Sequence, residues 1–149
     1  MIQAAPDGWN GGDDPSREWS GNTNTEVGGT GTALGTGYAN TSAAVAQNAT
    51  ADRAITLAWN YSNNSKEDWH LPSQVELNEL CKYARTQTTG DTEVLCDSSG
   101  SLRDGFANAT YWSSSELGAT GAWSQGFSHG NQANLTKAGN RRVRPVRAF

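Results

Sequence analysis

The segment 68–84 carries the strongest local folding signal in this chain. Ser73 and Glu76 match the Ser-x-x-Glu pattern of a capping box, in which each side chain accepts a hydrogen bond from the backbone N–H of the other residue. Leu71 precedes the cap, and Leu77 lies where an apolar contact across the helix start is expected. The segment predicts an amphipathic helix after Ser73, with an apolar face formed by Val75, Leu77, Leu80, Cys81 and Ala84.

Two weaker helical signals come earlier in the chain. Asn40 or Thr41 is a candidate N-cap for a helix over 42–47, because such side chains accept hydrogen bonds from the free N–H groups of a helix start. A second helix is expected over 51–59, where Ile55 and three alanines fall on one face. Residues 27–37 are rich in glycine but lack the Gly-Lys-Ser/Thr ending of a phosphate loop, which predicts an irregular loop.

The pattern changes to β-strands in the last third of the chain. The stretches 111–116 and 122–128 are strand candidates, and the second alternates large and small side chains. Gly130 and Asn131 predict a turn, and a further short strand is expected at 17–20. A last strand over 142–149 contains a proline, which predicts an edge position or a bulge. One side of that strand would carry Val143, Pro145, Arg147 and Phe149.

Aromatic side chains must supply much of the core, since other apolar residues are scarce. Apolar residues make up 35% of the 149 residues, and the mean hydropathy is −0.68. Six tryptophans, four tyrosines and three phenylalanines compensate, because each ring buries a large area. The many glycines, asparagines, threonines and serines predict turns and long ordered loops. This composition fits one compact, loop-rich α+β or mostly β domain over residues 1–149.

The charge distribution argues against a nucleic-acid partner. The net charge is −4 and the isoelectric point is about 5.0, whereas a general nucleic-acid-binding protein needs a broad basic face. Four of the eleven basic residues lie near the end of the chain, namely Arg141, Arg142, Arg144 and Arg147. We expect these arginines to pair with carboxylates such as Glu76, Glu79 and Glu116 rather than with phosphate groups.

Three further features concern location and redox state. No apolar run approaches membrane-spanning length, which predicts no membrane insertion. The first seven residues lack the basic and apolar stretches of a signal peptide, so export would require a signal already removed, an excised domain or a larger assembly. Cys81 and Cys96 bracket a polar loop, which favours a disulfide over two reduced thiols.

Residues with catalytic chemistry are present but isolated. His70 lies between Trp69 and Leu71 just before a helix cap, which favours a structural role, and His129 lies beside the predicted turn. The serine run 113–115 has no basic partner evident in the sequence. The densest acidic cluster lacks EF-hand spacing, and a solvated loop is favoured over a calcium site at Asp7, Asn10, Asp13 and Asp14. The sequence predicts no catalytic residue, no metal site and no cofactor.

Several sequence blocks, in order, resemble the DUF1566 family, which includes the C-terminal domain of the Legionella collagen-like adhesin. They cover residues 35–149 and consist of Gly35-Thr36-Gly37-x-Ala39-Asn40-Thr41, Trp69-His70-Leu71-Pro72-Ser73-x-x-Glu76-Leu77, Tyr111-Trp112-Ser113-Ser114-Ser115-Glu116, Ala122-Trp123 and Val143-Arg144-Pro145-Val146-Arg147. The resemblance implies a C-type-lectin-like α+β fold, in which two main helices pack on a twisted antiparallel sheet, the ends of the chain are close together and long ordered loops connect the elements.

The same resemblance implies a function and a location. Such domains act in adhesion or ligand display on a bacterial or phage surface, often as homo-oligomers on stalks, and the ligand here would be an unknown protein or glycan. The calcium-dependent sugar motifs Glu-Pro-Asn and Gln-Pro-Asp are missing, so calcium-coordinated sugar binding is not expected. The alternative is a structural or trimerising tip domain of a surface fibre without ligand specificity.

A narrower resemblance is to variable proteins that are diversified by retroelements, in which the C-terminal strands and loops carry hypervariable codons. Adenine-directed mutation of AAC or AAT codons does not reach Lys, Glu, Gln, Met or Trp, so Trp123, Gln125, Gln132 and Lys137 would be fixed framework. The predicted ligand-binding residues are Leu117, Gly118, Thr120, Gly121, Ser124, Gly126, Ser128, His129, Ala133, Leu135, Thr136, Ala138, Gly139, Asn140 and Arg141.

Overall fold

The computed structural model describes residues 2–148, which form an α+β fold of three helices and seven strands. The helices are α1 (Gly37–Gln47), α2 (Ala54–Asn60) and α3 (Gln74–Ala84). The strands are β1 (Ile2–Ala4), β2 (Ser16–Arg17), β3 (Thr110–Glu116), β4 (Gly121–Gly126), β5 (Gln132–Thr136), β6 (Arg141–Arg142) and β7 (Val146–Ala148). The mixed α+β class agrees with the sequence, although the structure has three helices where the family resemblance implies two main ones.

The larger sheet has the strand order β2-β6-β3-β4-β5. Strands β3, β4 and β5 form an antiparallel meander, whereas β6 runs parallel to β3 and pairs Arg142 with Tyr111. A shift of register between Trp112 and Glu116 bends β3. The segment 142–149 is therefore not one strand, because β6 joins the larger sheet and β7 joins another. Phe149 lies outside the described residues.

The smaller sheet brings the two ends of the described chain together. Strand β1 pairs antiparallel with β7, so that Ile2 lies opposite Ala148 and Ala4 lies opposite Val146. On the other side of β7, His70 N–H donates to Val146 O and Val146 N–H donates to His70 O, each at 2.9 Å. Neither β1 nor β5 is anticipated by the sequence patterns, because both are short and lack clear alternation.

The predicted capping box starts α3. Ser73 Oγ accepts from Glu76 N at 3.2 Å, and Glu76 Oε1 accepts from Ser73 N at 2.9 Å. The buried Glu76 carboxylate also accepts from Gly35 N at 2.7 Å and lies 3.4 Å from His70 Nε2. A Cβ atom on Gly37 would collide with this carboxylate, which explains why the first turn of α1 carries glycine.

The Glu76 carboxyl group titrates below its usual range. Burial acts to raise its pKa, but the contact with His70 and the N–H donors of Ser73 and Gly35 outweigh burial, so the pKa is lowered. His70 is itself buried, and its Nδ1 lies 3.1 Å from Asp68 O. Its contacts fit the structural role that the sequence favours.

Two apolar clusters fill the interior. The first joins α1 and α2 to the larger sheet and contains Trp19, Ile55, Leu71, Trp112 and Val143. The second joins α3 to β3 and β7 and contains Leu77, Leu80, Tyr111, Phe127 and Val146, together with Cys81 and Cys96, which form a disulfide with a Cα–Cα distance of 5.9 Å. Leu71 and Leu77 pack in different clusters, so the expected contact between them across the helix start is wrong.

The N-terminal parts of α1 and α2 differ from the sequence prediction. Helix α1 begins at Gly37, and Asn40 and Thr41 lie inside it. Asn40 Nδ2 donates to Gly31 O at 2.7 Å, and Thr41 Oγ1 donates to Gly37 O at 2.8 Å. These side chains therefore hold the preceding loop and the helix backbone instead of capping. Helix α2 begins at Ala54 rather than at residue 51, after Arg53 at its N-cap.

The C-terminal arginines form other ion pairs than those expected. Arg144 Nε binds Asp14 Oδ1 at 2.7 Å in the interior, and Arg147 Nε binds Asp68 Oδ1 at 2.7 Å. Glu76, Glu79 and Glu116 are paired with the three side chains His70, Lys82 and Lys137. The predicted partners were wrong because sequence spacing does not tell which carboxylate the fold brings to a given strand.

No helix within residues 2–148 combines the length and the apolar character that crossing a bilayer requires.

The first prediction concerns Glu76→Gln. We expect the free energy of unfolding at pH 7 to fall by about 3 kcal/mol. The neutral amide weakens the hydrogen bonds that the charged carboxylate accepts, and its NH2 group replaces one acceptor oxygen, so one backbone N–H group loses its partner. Because the folded pKa is lowered, the contribution is present above the ordinary value of 4.5 and is lost as pH falls through the lower folded pKa. Urea unfolding at pH 7 and pH 3 measures both effects.

Glu67→Gln is the matched control, since Glu67 is exposed. Glu67→Gln should change the free energy of unfolding by no more than about 0.5 kcal/mol. Equal effects of the two substitutions at pH 7 would contradict the central role of Glu76.

Candidate functional site

The segment 117–141 forms the outer part of the larger sheet. It consists of the loop 117–120, strand β4, the turn 127–131, strand β5, the loop 137–140 and Arg141, the first residue of β6. Strand β5 is the last strand of its sheet, so one of its edges has no neighbour among residues 2–148. Most side chains in these loops and along β5 are exposed or half-buried, and we call the exposed and half-buried residues of 117–141 the hairpin surface.

Most of the predicted ligand-binding residues lie on this surface. The exposed ones are Leu117, Gly118, Thr120, His129, Ala133, Thr136, Ala138 and Asn140. The half-buried ones are Ser128, Leu135, Gly139 and Arg141. Strand alternation places Ala133 and Leu135 on the face of Ala122 and Ser124, and Thr136 on the opposite face with Trp123. Arg141 lies in β6, on the far side of β3, so these residues do not form one continuous face.

Three predicted contacts are buried and cannot touch a ligand in this conformation. Gly121, Ser124 and Gly126 all belong to β4, which lies between β3 and β5. A Cβ atom on Gly121 would collide with Asn134, and one on Gly126 would collide with His129. Ser124 lies opposite Trp112 of β3 and Ala133 of β5. These three residues belong to the buried framework of the sheet, because β4 has a neighbouring strand on both sides.

Sequence reasoning missed other members of the surface. Asn131 and Asn134 are exposed, and Gln132 and Trp123 are half-buried. Trp123, which the sequence analysis assigns to the fixed framework, is half-buried and lies opposite the exposed Asn134 in the β4–β5 pairing, so it contributes to the surface. The available signal was alternation in β4, which places Trp123 on the side opposite the buried Ala122.

A buried ion pair lies beneath the hairpin surface. Lys137 Nζ binds Glu116 Oε2 at 2.6 Å, donates to Ala119 O at 3.0 Å and lies 4.6 Å from the centre of the Trp19 ring. The Glu116 carboxylate also accepts from Val27 N at 2.8 Å and Gly28 N at 3.1 Å. One pair of charges thus joins the glycine-rich loop, the end of β3, the loop 117–120 and the end of β5.

A chain of side-chain amides supports the other end of the hairpin. Gln125 Nε2 donates to Asn78 Oδ1 at 2.9 Å and to Gly130 O at 2.8 Å. Gln132 accepts from Gln74 Nε2 at 3.1 Å, which ties β5 to the start of α3. Gln125 and Lys137 are fully buried. The two ends of the hairpin are therefore fastened by side chains that lie below its surface.

Two larger polar side chains of the surface are held by local contacts. His129 Nδ1 accepts from Asn131 N at 3.0 Å, which closes the turn between β4 and β5. Arg141 Nη1 donates to Asn140 O at 2.9 Å, and its guanidinium carbon lies 5.8 Å from the centre of the Trp112 ring. The surface thus offers hydrogen-bonding groups that local contacts hold in place.

The described residues contain no cluster of three or more His, Cys, Asp or Glu side chains that could hold a metal ion. Asp14, from the predicted acidic cluster, is instead buried and binds Arg144, Trp9 Nε1 and the Tyr111 hydroxyl. Burial and the Asp14 charge raise the pKa of Tyr111, which keeps its hydroxyl group protonated as a donor. The acidic cluster contributes to the core rather than to a solvated loop at this position.

Comparison with known families gives a match over nearly the whole chain. The sequence model described as "Lcl C-terminal domain" matches residues 14–147. That range contains α1, α2, α3 and strands β2 to β6, as well as the complete hairpin surface. No curated protein matches the chain.

The second prediction concerns Lys137→Met. We expect it to lower the free energy of unfolding by about 3–5 kcal/mol, because Glu116 would be left buried and charged without its partner. The double variant Lys137→Met/Glu116→Gln should lose less free energy of unfolding than the two single variants lose together, since it removes both charges. Urea unfolding of the four proteins measures the coupling.

Lys66→Met is the control, since Lys66 is exposed. Two results would contradict the role given to the buried pair: a decrease in the free energy of unfolding below about 1 kcal/mol for Lys137→Met, or a double variant whose decrease equals the sum of the two single variants.

Proposed function

The chain belongs to the Lcl C-terminal domain family, and we propose that it is the recognition module of a surface adhesin, which binds a protein or glycan without catalysing a reaction. Family membership points to a surface-associated, adhesin-type domain. The hairpin surface is the part of this domain that we assign to ligand binding.

The observation that carries the proposal is the separation of framework from surface in 117–141. Lys137 and Gln125 are buried and make the bonds that hold the hairpin, whereas eight of the fifteen predicted contacts are exposed and make few bonds within the domain. A rigid support below side chains that the fold does not need is suited to recognition, because less conformational entropy is lost on binding.

The chemistry of the surface suits a polar, largely uncharged ligand. Asn131, Asn134 and Asn140 provide amide groups, and His129 and Arg141 provide further donors. Leu117 and the exposed part of Trp123 supply the apolar contacts. Aromatic side chains are among the usual centres of binding energy at interfaces, so we place the centre of the site at Trp123 and its cross-strand neighbour Asn134.

We further propose that the domain is C-type-lectin-like and that its hairpin surface is diversified. The paired ends of the chain and the packing of helices against an antiparallel meander support the first part. The burial of Gln125 and Lys137 supports the second, since adenine-directed mutation leaves these residue types unused at variable positions.

A structural tip domain is the second candidate. It is favoured by the open edge of β5, which could pair with another copy in a fibre tip. In that case the hairpin surface would be covered by subunits instead of ligand. Light scattering distinguishes the recognition module from the tip domain. A tip domain that assembles through the β5 edge must be an oligomer, and Asn134→Pro should convert it to a monomer, because proline removes a backbone donor from that edge.

The third prediction tests the placement of the site. The variant Leu117→Ser/Asn134→Ala should weaken binding to the recognised members of an array of glycans and extracellular-matrix proteins at least tenfold, a loss of about 1.4 kcal/mol. The matched control Leu95→Ser/Asn108→Ala changes the same residue types at exposed positions outside 117–141 and should bind as the parent chain does. Equal binding by the two variants would place the site elsewhere.

The fourth prediction tests diversification by sequencing sibling genes. Substitutions should concentrate at the exposed positions of 117–141, whereas Trp123, Gln125, Gln132 and Lys137 should stay constant. A near-identical template repeat and a reverse transcriptase gene should lie nearby. Substitutions spread evenly over the chain would contradict the proposed diversification, but they would not contradict the proposal that the hairpin surface binds a ligand.

A further inference from the structure

A concave surface lies along strand β1, and no residue of the hairpin surface lines it. This β1 groove has a volume of about 920 Å³, near the upper end of the roughly 300–1,000 Å³ range of small-ligand pockets. One wall is the chain segment 2–7, and the other comes from α3 and the loop 89–92. Its apolar lining includes Leu34, Leu80, Tyr83 and Phe106.

The wall formed by β1 is a free strand edge. Both backbone groups of Val146 are bonded to His70, so they point away from β1. Ala4 is the partner of Val146 in the β1–β7 register and must form a non-hydrogen-bonded pair with it. The N–H and C=O groups of Ala4 therefore point away from β7, and no residue in 2–148 bonds them. A strand edge of this kind is a template for another extended chain.

The charges around the groove indicate which kind of peptide would bind there. Asp7 and Asp104 line the groove, are exposed and take part in no hydrogen bond or ion pair within residues 2–148. Of the two arginines that line the groove, Arg144 binds Asp14, whereas Arg103 pairs with no carboxylate within residues 2–148. Arg103 donates to Tyr83 O and lies 4.3 Å from the Tyr83 ring centre, so the two free carboxylates outnumber the one unpaired arginine. Two unpaired carboxylates beside an apolar lining favour a basic, partly apolar occupant.

From these features we propose that the β1 groove binds an extended peptide that adds a strand to β1 and carries alternating apolar and basic side chains. The backbone of the peptide bonds Ala4, its apolar side chains contact Leu80 and Phe106, and a lysine or arginine approaches Asp7 and Asp104. A second copy of this chain fits less well, because residues 2–7, which would pair along the edge, contain no lysine or arginine to approach these carboxylates.

The fifth prediction uses a fluorescent Val-Lys-Val-Lys-Val peptide, followed by fluorescence anisotropy at low salt. The parent chain should bind it at least fivefold more tightly than Val-Glu-Val-Glu-Val, and also more tightly than a backbone N-methylated form that lacks the donors. Asp7→Asn/Asp104→Asn should weaken binding at least fivefold, whereas Asp13→Asn/Glu93→Gln makes the same change of net charge at exposed positions and should have no effect.

Ala4→Pro separates the strand edge from the charges. It removes only the N–H that points into the groove, so it should abolish peptide binding while the thermal unfolding midpoint stays close to that of the parent chain. Leu117→Ser/Asn134→Ala should retain peptide binding, which keeps this site distinct from the hairpin surface.

Three results would overturn the proposal. Equal binding of the N-methylated peptide would mean that the groove contacts side chains without strand addition. Failure of the lysine peptide to bind the parent chain would exclude a basic extended occupant. A dimer in light scattering that Ala4→Pro converts to a monomer would show that a second copy of the chain occupies the edge.

Discussion

The buried carboxylate of Glu76 is the interaction on which the arrangement of the helices depends. It closes the cap of α3, accepts a hydrogen bond from the loop before α1 and contacts His70 in the segment that bridges to β7. Because each of these elements comes from a different part of the chain, one charged group fixes their relative positions. Gly37 is part of the same constraint, since any side chain there would occupy the space of the carboxylate.

Two other buried carboxylates also connect segments that are distant in the sequence. Asp14 joins the N-terminal loop to Arg144 and Tyr111, and Glu116 joins the glycine-rich loop to Lys137. A chain with few aliphatic residues cannot order long loops by burying apolar area alone. Hydrogen-bonded carboxylates order the loops here, and the aromatic clusters provide the apolar burial. The hairpin surface can therefore be polar without loosening the fold below it.

The sequence predicts best where a local interaction decides the structure. The capping box at Ser73 and Glu76, the strand from Thr110 to Glu116 and the turn near Gly130 depend on neighbouring residues, and their positions agree with the structure. The partners of Arg144 and Arg147 were missed because they come from residues about 130 and 79 positions away. The candidate site was outlined by the family resemblance together with residue type, neither of which shows burial. Three of its residues lie buried on β4, whose central place in the sheet only the pairing with β3 and β5 defines.

The pairing of Ile2 with Ala148 determines how mechanical load would enter the domain. A pull applied at these two residues acts at the same end of an antiparallel ribbon, so the hydrogen bonds of β1 and β7 break one after another instead of sharing the force. The bonds between Val146 and His70 come next in the path and connect it to Glu76 and the helices. Under a load applied at these two residues, the smaller sheet would open before the larger sheet that carries the hairpin surface.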